Sequence, residues 1–362
     1  RLTVIIPSYN SVEFLDSTIS SIKAQTIGFE NIELIIIDDY STDSTQELID
    51  KYCEEYENIK TYESGKKTGT PGRARNIGIA NSEADYIMFI DHDDKYLPDT
   101  VEKLYNAITS NSSDVAIGKF QTFGENYLVT EDWITEDVVL NSIDENLLFF
   151  SINGIWRMIF PKEFLLKHEI TFPEGVFAED LTFMIDAFVN AEKIVFINDV
   201  VYNFRLRTGD NSSTSLSKGI HYLNGLIDGY LYTVDVLEKN DACKYYDTVF
   251  NQHLSVWLSD VALSETISME DKKVLVEKSV PLFRKLKNNE PFPENNAIKS
   301  IINKDVDEET VFSIIVLEHI KKVFKAKNRV KLIFSKCIKG LNMKYNEINE
   351  GTLKMIDGEW ES

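Results

Sequence analysis

Asp91-His92-Asp93-Asp94 places three carboxylates within four residues. Like charges so close repel one another, and folding alone gives no reason for them. A hard divalent cation does, because Mg²⁺ and Mn²⁺ take one or two carboxylates and complete their shell with substrate phosphates. The plainer alternative is a turn in which Asp93 or Asp94 caps a following helix. Asp38-Asp39 offers carboxylates that could accept hydrogen bonds from a nucleobase or ribose, or cap the next helix. Gly65–Asn76 combines Lys66, Lys67, Arg73 and Arg75 with three glycines. Glycines let amides approach an anion, and arginine supplies a planar fork for phosphate; a mobile surface loop is the competing reading. The segment is no Walker A loop, and no Gly-x-Gly-x-x-Gly follows the first strand. Glu179-Asp180 opens an apolar run, Leu181–Val189, where a helix dipole stabilises an anion able to take a proton as general base. Helix capping competes there too. Trp156 offers an aromatic face to a sugar, against core packing. Arg205–Ser213 is a loop whose Arg207 and Ser213 could close over phosphate. Of the five histidines only His92 lies near this chemistry.

Short apolar runs alternating with amphipathic stretches must position these groups. Leu2–Ile6, Glu33–Ile37, Ile59–Tyr62, Tyr86–Ile90 and Val115–Phe123 read as strands. Glu13–Gln25 and Arg73–Ala80 read as helices, Ser44-Thr45-Gln46-Glu47 as a capping box, and Pro98 as a helix start. This alternation predicts an α/β fold, a Rossmann-like mixed, mostly parallel sheet with helices on both faces. Ligands of such sheets bind beyond the carboxyl ends of the strands, so the loops after Ile6, Ile37 and Ile90 should line one site. From about His221 the pattern turns helical, over Tyr222–Leu237, Asp247–Ile267 and Asp271–Leu286. Pro291 and Pro293 mark a linker, and more helix is expected from Glu308 to Cys337. We therefore expect a catalytic domain over 1–215, a helical domain over 216–345 and a polar tail or linker over 346–362.

The 362 residues carry 38 Lys and Arg against 59 Asp and Glu, a net charge of −21. That balance opposes a nucleic-acid groove, which needs a basic surface. No apolar run approaches the ~20 residues of a membrane span, and Arg1 leads straight into a strand with no secretory signal. The three cysteines are widely spaced with no CxxC, which points away from disulfides or zinc and towards the cytoplasm. One stretch runs against the global charge: Lys321–Lys344 holds nine cations and no acid. Interleaved with Val323, Phe324, Ile333 and Phe334, it suits an anionic polymer or a peripheral contact with the inner face of the membrane, or else is a solvated helix face.

Five motifs in order carry a family resemblance. They are Val4-Ile5-Ile6-Pro7-Ser8-Tyr9-Asn10, Ile36-Ile37-Asp38-Asp39, Pro71-Gly72-x-x-Arg75-Asn76, Phe89-Ile90-Asp91-His92-Asp93-Asp94 and Ala178-Glu179-Asp180. Residues 1–210 resemble the inverting nucleotide-sugar glycosyltransferases of family 2, which have the GT-A fold. The Pro-Gly-x-x-Arg-Asn loop and the helical second half look most like the wall-teichoic-acid and capsule enzymes of Gram-positive bacteria. The resemblance implies that Pro7, Ser8, Tyr9 and Asp39 hold the base and ribose. Arg75, His92, Arg207 and Ser213 would contact the rest of the donor, and Asp91 and Asp93 would hold Mn²⁺ or Mg²⁺ on the diphosphate. Asp180 would be the base, supported by Glu179; apart from the resemblance, the aromatic face of Trp156 is a candidate for the acceptor sugar. The usual small residue inside the carboxylate triplet is His92 here, and the Gln/Arg-x-x-Arg-Trp motif of processive relatives is absent.

The implied reaction moves a sugar from a donor such as UDP-GlcNAc to a hydroxyl of a polyol-phosphate or polysaccharide acceptor. Two other readings use the same residues. A metal-dependent nucleotidyltransferase would release pyrophosphate from a nucleoside triphosphate. A degenerate domain would only bind a polyanion through Lys321–Lys344.

Overall fold

The computed structural model describes residues 1–123, 134–206, 219–264, 266–285, 354–356 and 359–361. Arg207, Ser213, the linker prolines and the basic segment Lys321–Lys344 lie outside the described residues, as does the helix expected over Glu308–Cys337.

Strand β1 (Leu2–Ser8) is buried along its whole length. It pairs in parallel with β2 (Ile32–Asp38), which pairs with β3 (Ile59–Glu63), and on its other side with β4 (Tyr86–Phe89). β-Branched, apolar runs buried on both faces favour such parallel pairing. Alternate residues serve the two faces. Val4, Ile6, Leu34, Ile36 and Met88 join one core with Leu15, Ile19 and Ile22 of α1 (Leu15–Lys23) and Ile49 of α2 (Thr45–Glu55). Ile5 faces the other way, against α3 (Gly72–Asn81), where a Cβ on Gly78 would lie 2.5 Å from the Ile5 side chain.

The sheet continues beyond β4 with β5 (Lys95–Tyr96), β6 (Val115–Phe123), β7 (Val138–Leu140), β8 (Met158–Pro161) and β9 (Ile194–Arg205). The described strands run in the order β3-β2-β1-β4-β8-β6-β9-β5, with β7 pairing on β9. This second half is mixed: β8 is antiparallel to β4 and β6, whereas β6 and β9 are parallel. Helices α4 (Thr100–Asn111), α5 (Lys162–Lys167) and α6 (Glu179–Asn190) connect these strands.

Two helix starts differ from expectation. Ser44 makes no side-chain cap to α2. Asp43 Oδ1 accepts the Thr45 amide instead (3.1 Å), and the Ser11 amide donates to Thr45 Oγ1 at 2.8 Å, tying α2 to the end of β1. Helix α4 begins at Thr100, two residues after Pro98, and the Thr100 hydroxyl accepts the Leu97 amide at 3.0 Å.

The chain divides into two compact units, Arg1–Gln252 and His253–Ser362. The first includes α7 (Ile220–Lys239), which packs on α6. Helix α8 (Tyr246–Leu263) spans the division. The second unit also holds α9 (Met269–Lys285), whose start is capped by Ser268 Oγ accepting the Asp271 amide at 3.1 Å. It holds a hairpin of β10 (Lys354–Ile356) and β11 (Glu359–Glu361) as well.

Candidate active site

The loops after β1, β2 and β4 meet at the carboxyl edge of the sheet, as the topology requires. They are stitched together. The Asn10 amide donates to Ser41 Oγ at 2.8 Å, the Thr42 amide to Asn10 Oδ1 at 2.8 Å, and the Asp39 amide to Ser8 O at 2.8 Å. Asn10 and Tyr40 hold positive φ angles of 45° and 63°, costly for residues with a Cβ and typical of chain bent to serve a site.

The carboxylate triplet is held from two sides. Thr18 Oγ1 of α1 donates to the carbonyls of His92 (2.9 Å) and Asp94 (2.8 Å). From β9, the Tyr202 hydroxyl donates to Asp94 Oδ2 at 2.7 Å and the Arg205 amide to Asp94 Oδ1 at 2.6 Å. Arg205 Nε also donates to Asp93 O at 2.6 Å. Asp94 is therefore the anchor of the turn. Burial, then the charges of Asp93 and Asp91, hold its carboxyl well above the ordinary range. Asp93 is buried, and Asp91 keeps part of its side chain open. His92 Nδ1 donates to Pro7 O at 3.3 Å.

Arg75 joins this turn to the second pair of acids. It projects from α3 with only 3% of its surface exposed. Its Nη2 donates to Asp91 Oδ1 at 2.9 Å and its Nη1 to Glu179 Oε1 at 2.7 Å, while Nε–H has no partner among the described residues. The guanidinium lies over the Phe172 ring, 5.3 Å from its centroid. Glu179 and Asp180 begin α6 behind Ala178, which is left-handed at φ 60°. Asp180 Oδ1 accepts the Leu181 amide at 2.8 Å, so the capping and proton-accepting readings are compatible. Burial and the neighbouring Asp180 charge, opposed by Arg75, raise the Glu179 carboxyl to about 7. Burial first, with Asp91 adding to it, raises Asp180 as well.

A stability signature follows. Between the ordinary carboxyl value of 4.5 and about 7, folded Glu179 retains a proton that the unfolded chain releases. Raising pH through that window therefore lowers stability. Urea midpoints measured from pH 4.5 to 7.5 are expected to fall with pH, and Glu179→Gln to flatten that slope.

The other expected site residues have partners of their own within the fold. Asp39 spends its carboxylate on the 64–69 loop, accepting from the amides of Thr68 (3.1 Å) and Gly69 (3.0 Å) and from Ser64 Oγ (3.1 Å). Asp38 accepts the Ser41 amide at 2.8 Å, closing a turn. Ser8 is buried, its hydroxyl 2.6 Å from that of Ser11. Tyr9 is exposed, and Lys67 Nζ reaches its hydroxyl at 2.6 Å. Trp156 is a core residue. Its ring stacks on Tyr202 at 4.1 Å and meets Phe120 edge-on at 4.8 Å, which supports the triplet from below and leaves no open face for a sugar. Trp156→Ala is expected to cost about 3–5 kcal/mol through the cavity it leaves, measured as a lowered denaturant midpoint. The residues missed in the sequence are Thr18 and Tyr202, and Arg205, expected to open a loop, instead ends β9. Their roles come from elements far away in the chain, and no local spacing announces them.

Among the described residues no group of three or more His, Cys, Asp or Glu is placed to hold a metal ion, and no helix is long and apolar enough to cross a membrane.

The poly(ribitol-phosphate) beta-N-acetylglucosaminyltransferase TarP of Staphylococcus aureus is 31% identical over 228 residues, 61% of this chain and 68% of that one. The poly(ribitol-phosphate) beta-glucosyltransferase of Bacillus spizizenii is 29% identical over 217 residues, 59% of this chain. The chain spans about a third of that protein's length, 34%, and 33% of the glycosyltransferase GlyA of Streptococcus pneumoniae. Among solved structures, S. aureus TarS 1–349 in complex with UDP superposes with a TM-score of 0.68 at 18% identity, covering 99% of this chain and 95% of that one. A likeness at that identity concerns the fold, which is GT-A. The family described as "Glycosyl transferase family 2" matches residues 3–169, the stretch that carries the first four motifs, and with the TarP relationship this makes the chain a member of glycosyl transferase family 2.

Proposed function

We infer that this chain transfers a sugar, with inversion, from a UDP-sugar to a hydroxyl of a polyol-phosphate polymer of the cell surface. The observation that carries the reading is the Arg75 bridge. One buried cation ties Asp91, on the triplet turn, to Glu179, beside Asp180. A diphosphate carboxylate and a proton acceptor are thus held in one rigid unit at the edge where ligands of such sheets bind.

Asp91 and Asp93 suit a hard cation in their chemistry and in sharing one turn. With no three-ligand cluster among the described residues, an ion there would need donor phosphate oxygens to complete its shell. Asp91 and Asp93 would hold Mn²⁺ or Mg²⁺, which when bound supplies positive charge against the departing diphosphate.

The protein's own groups do the rest. Tyr9, at the rim of β1, presents a ring for the base. Arg75 holds Asp91 and Glu179 in place through Nη2 and Nη1 and, among the described residues, has its Nε–H left to donate. Asp180 takes the proton of the acceptor hydroxyl, and that oxygen attacks the anomeric carbon on the face opposite the nucleotide. Glu179, the residue before it and bound to Arg75 at 2.7 Å, supports that base from the same turn of helix. A single base with no protein nucleophile gives inversion. The polymer named for TarP and for the Bacillus spizizenii relative is the basis for the acceptor class, and the nine cations of Lys321–Lys344 supply charge that would attract such a polyanion.

The test is a panel of UDP-sugars with ribitol-phosphate polymer, reading UDP release and the anomeric configuration of the product. Transfer with inversion is expected, and excess chelator should lower it by about 10-fold or more. Pyrophosphate release from a nucleoside triphosphate, or no turnover with any donor, would overturn the reading; undiminished transfer in chelator would remove the metal from it.

A further inference from the structure

Helix α7 carries two glycines one turn apart, Gly225 and Gly229, in its interior. Glycine costs a helix interior about 1 kcal/mol relative to alanine, so this spacing calls for a reason. The reason is the backbone beside them. A Cβ on Gly229 would sit 1.9 Å from the Phe177 carbonyl oxygen and 3.4 Å from the Ala178 Cβ. A Cβ on Gly225 would sit 2.4 Å from the Phe177 ring. That ring also meets His221 and Tyr222 of the first turn of α7, with centroids 5.5 and 5.1 Å away. The two helices are locked further along by Thr182 Oγ1, 2.9 Å from Thr233 Oγ1.

The gripped peptide is the one that aims the acids. Ala178 holds φ 60° and is followed directly by Glu179 and Asp180. On its other side the same turn meets α3, where a Cβ on Gly72 would lie 2.4 Å from the Pro173 carbonyl oxygen and 3.4 Å from Glu179 Cγ. Bare helix backbone thus approaches the 173–178 turn from α3 and from α7. A left-handed alanine persists only where its surroundings over-determine it, and here α7 supplies that constraint.

We propose that Gly225 and Gly229 are positioning residues for transfer: they let α7 press on the Phe177–Ala178 peptide and so set the direction in which Asp180 meets the acceptor. The proposal rests on Asp180 being the base. Both glycines lie on α7, outside the loops that follow β1, β2 and β4, so the effect should fall on the chemical step far more than on nucleotide binding.

Gly229→Ala forces the Phe177 carbonyl to move and turns α6's first residues with it. Its kcat should fall about 10- to 100-fold, the usual consequence of displacing a reacting group by about 1 Å. Donor KM and the Kd for UDP should stay within about twofold, because the lost interaction is made in the transition state. Adding Ala178→Gly should recover part of the lost kcat, since glycine reaches the displaced backbone angles without strain. Tyr232→Ala, on the exposed face of α7, is the control and should change nothing. Unchanged kcat in Gly229→Ala, an equal loss of UDP affinity, or no recovery in the double variant would each overturn the proposal. Should Gly229→Ala fail to fold by circular dichroism, Gly225→Ala decides by the same pattern, because it meets a ring that can rotate and not a carbonyl. Failure of the underlying assignment looks different: Asp180→Asn would then transfer normally in the wild-type background.

Discussion

Asp180→Asn should lose about 10³-fold in kcat while keeping its fold and its affinity for UDP. A positioned general base contributes about 10²- to 10⁴-fold, and few other groups at this edge can replace it. Glu179 is the nearest rival, but its carboxylate is engaged by Arg75 at 2.7 Å. The substitution is mild for the fold. An asparagine carbonyl can still accept the Leu181 amide that Asp180 Oδ1 accepts at 2.8 Å, so the start of α6 keeps its bond. Removing the Asp180 charge also removes one of the causes that raise Glu179, so the residual activity should depend on pH differently from wild type. Calorimetry with UDP separates binding from chemistry. Near-normal transfer by a folded Asp180→Asn protein would remove Asp180 from the mechanism.

The second large effect is on stability. Arg75→Met removes the cation between Asp91 and Glu179 and leaves Glu179, itself buried, without its partner. Breaking a buried ion pair on one side costs about 3–5 kcal/mol, a large part of the ~5–15 kcal/mol that holds a domain folded. Arg75→Lys should recover little of it, because an ammonium cannot reach two carboxylates with separate forks. Pairing Arg75→Met with Glu179→Gln should recover more, since the buried charge left behind is then gone. The sign with pH is also set. Without Arg75 the Glu179 carboxyl titrates still higher, so the variant's deficit should shrink as pH falls and the acid protonates. Urea midpoints at pH 5.5 and 8 would show it; a deficit that is the same at both would mean that packing on Phe172, and not charge, is what Arg75 provides.

Much of this site is readable in the chain itself. Leu2–Ser8 and Ile32–Asp38 are continuous apolar strands, and each ends on polar residues at the edge where parallel sheets bind ligands. The motif loops fall at one edge of the sheet because the rule of the parallel sheet is topological. The helices from α7 to α9 likewise stand within a few residues of where their periodicity puts them.

What the chain conceals is how each polar group is spent. Asp38, Asp39, Asp91, Asp93 and Asp94 are alike as letters, yet Asp94 anchors to Tyr202 and Arg205 while Asp39 holds the backbone of Thr68 and Gly69. Trp156 could face a sugar or a core, and it packs on Tyr202. Nothing in the spacing of Arg75 foretells that one guanidinium spans Asp91 and Glu179, 16 and 104 residues away. Local sequence specifies periodicity, caps and turns because those depend on neighbours along the chain. Which carboxylate is buried, paired or left open depends on partners brought together by the packing of distant strands, and on desolvation that exists only once the chain has folded.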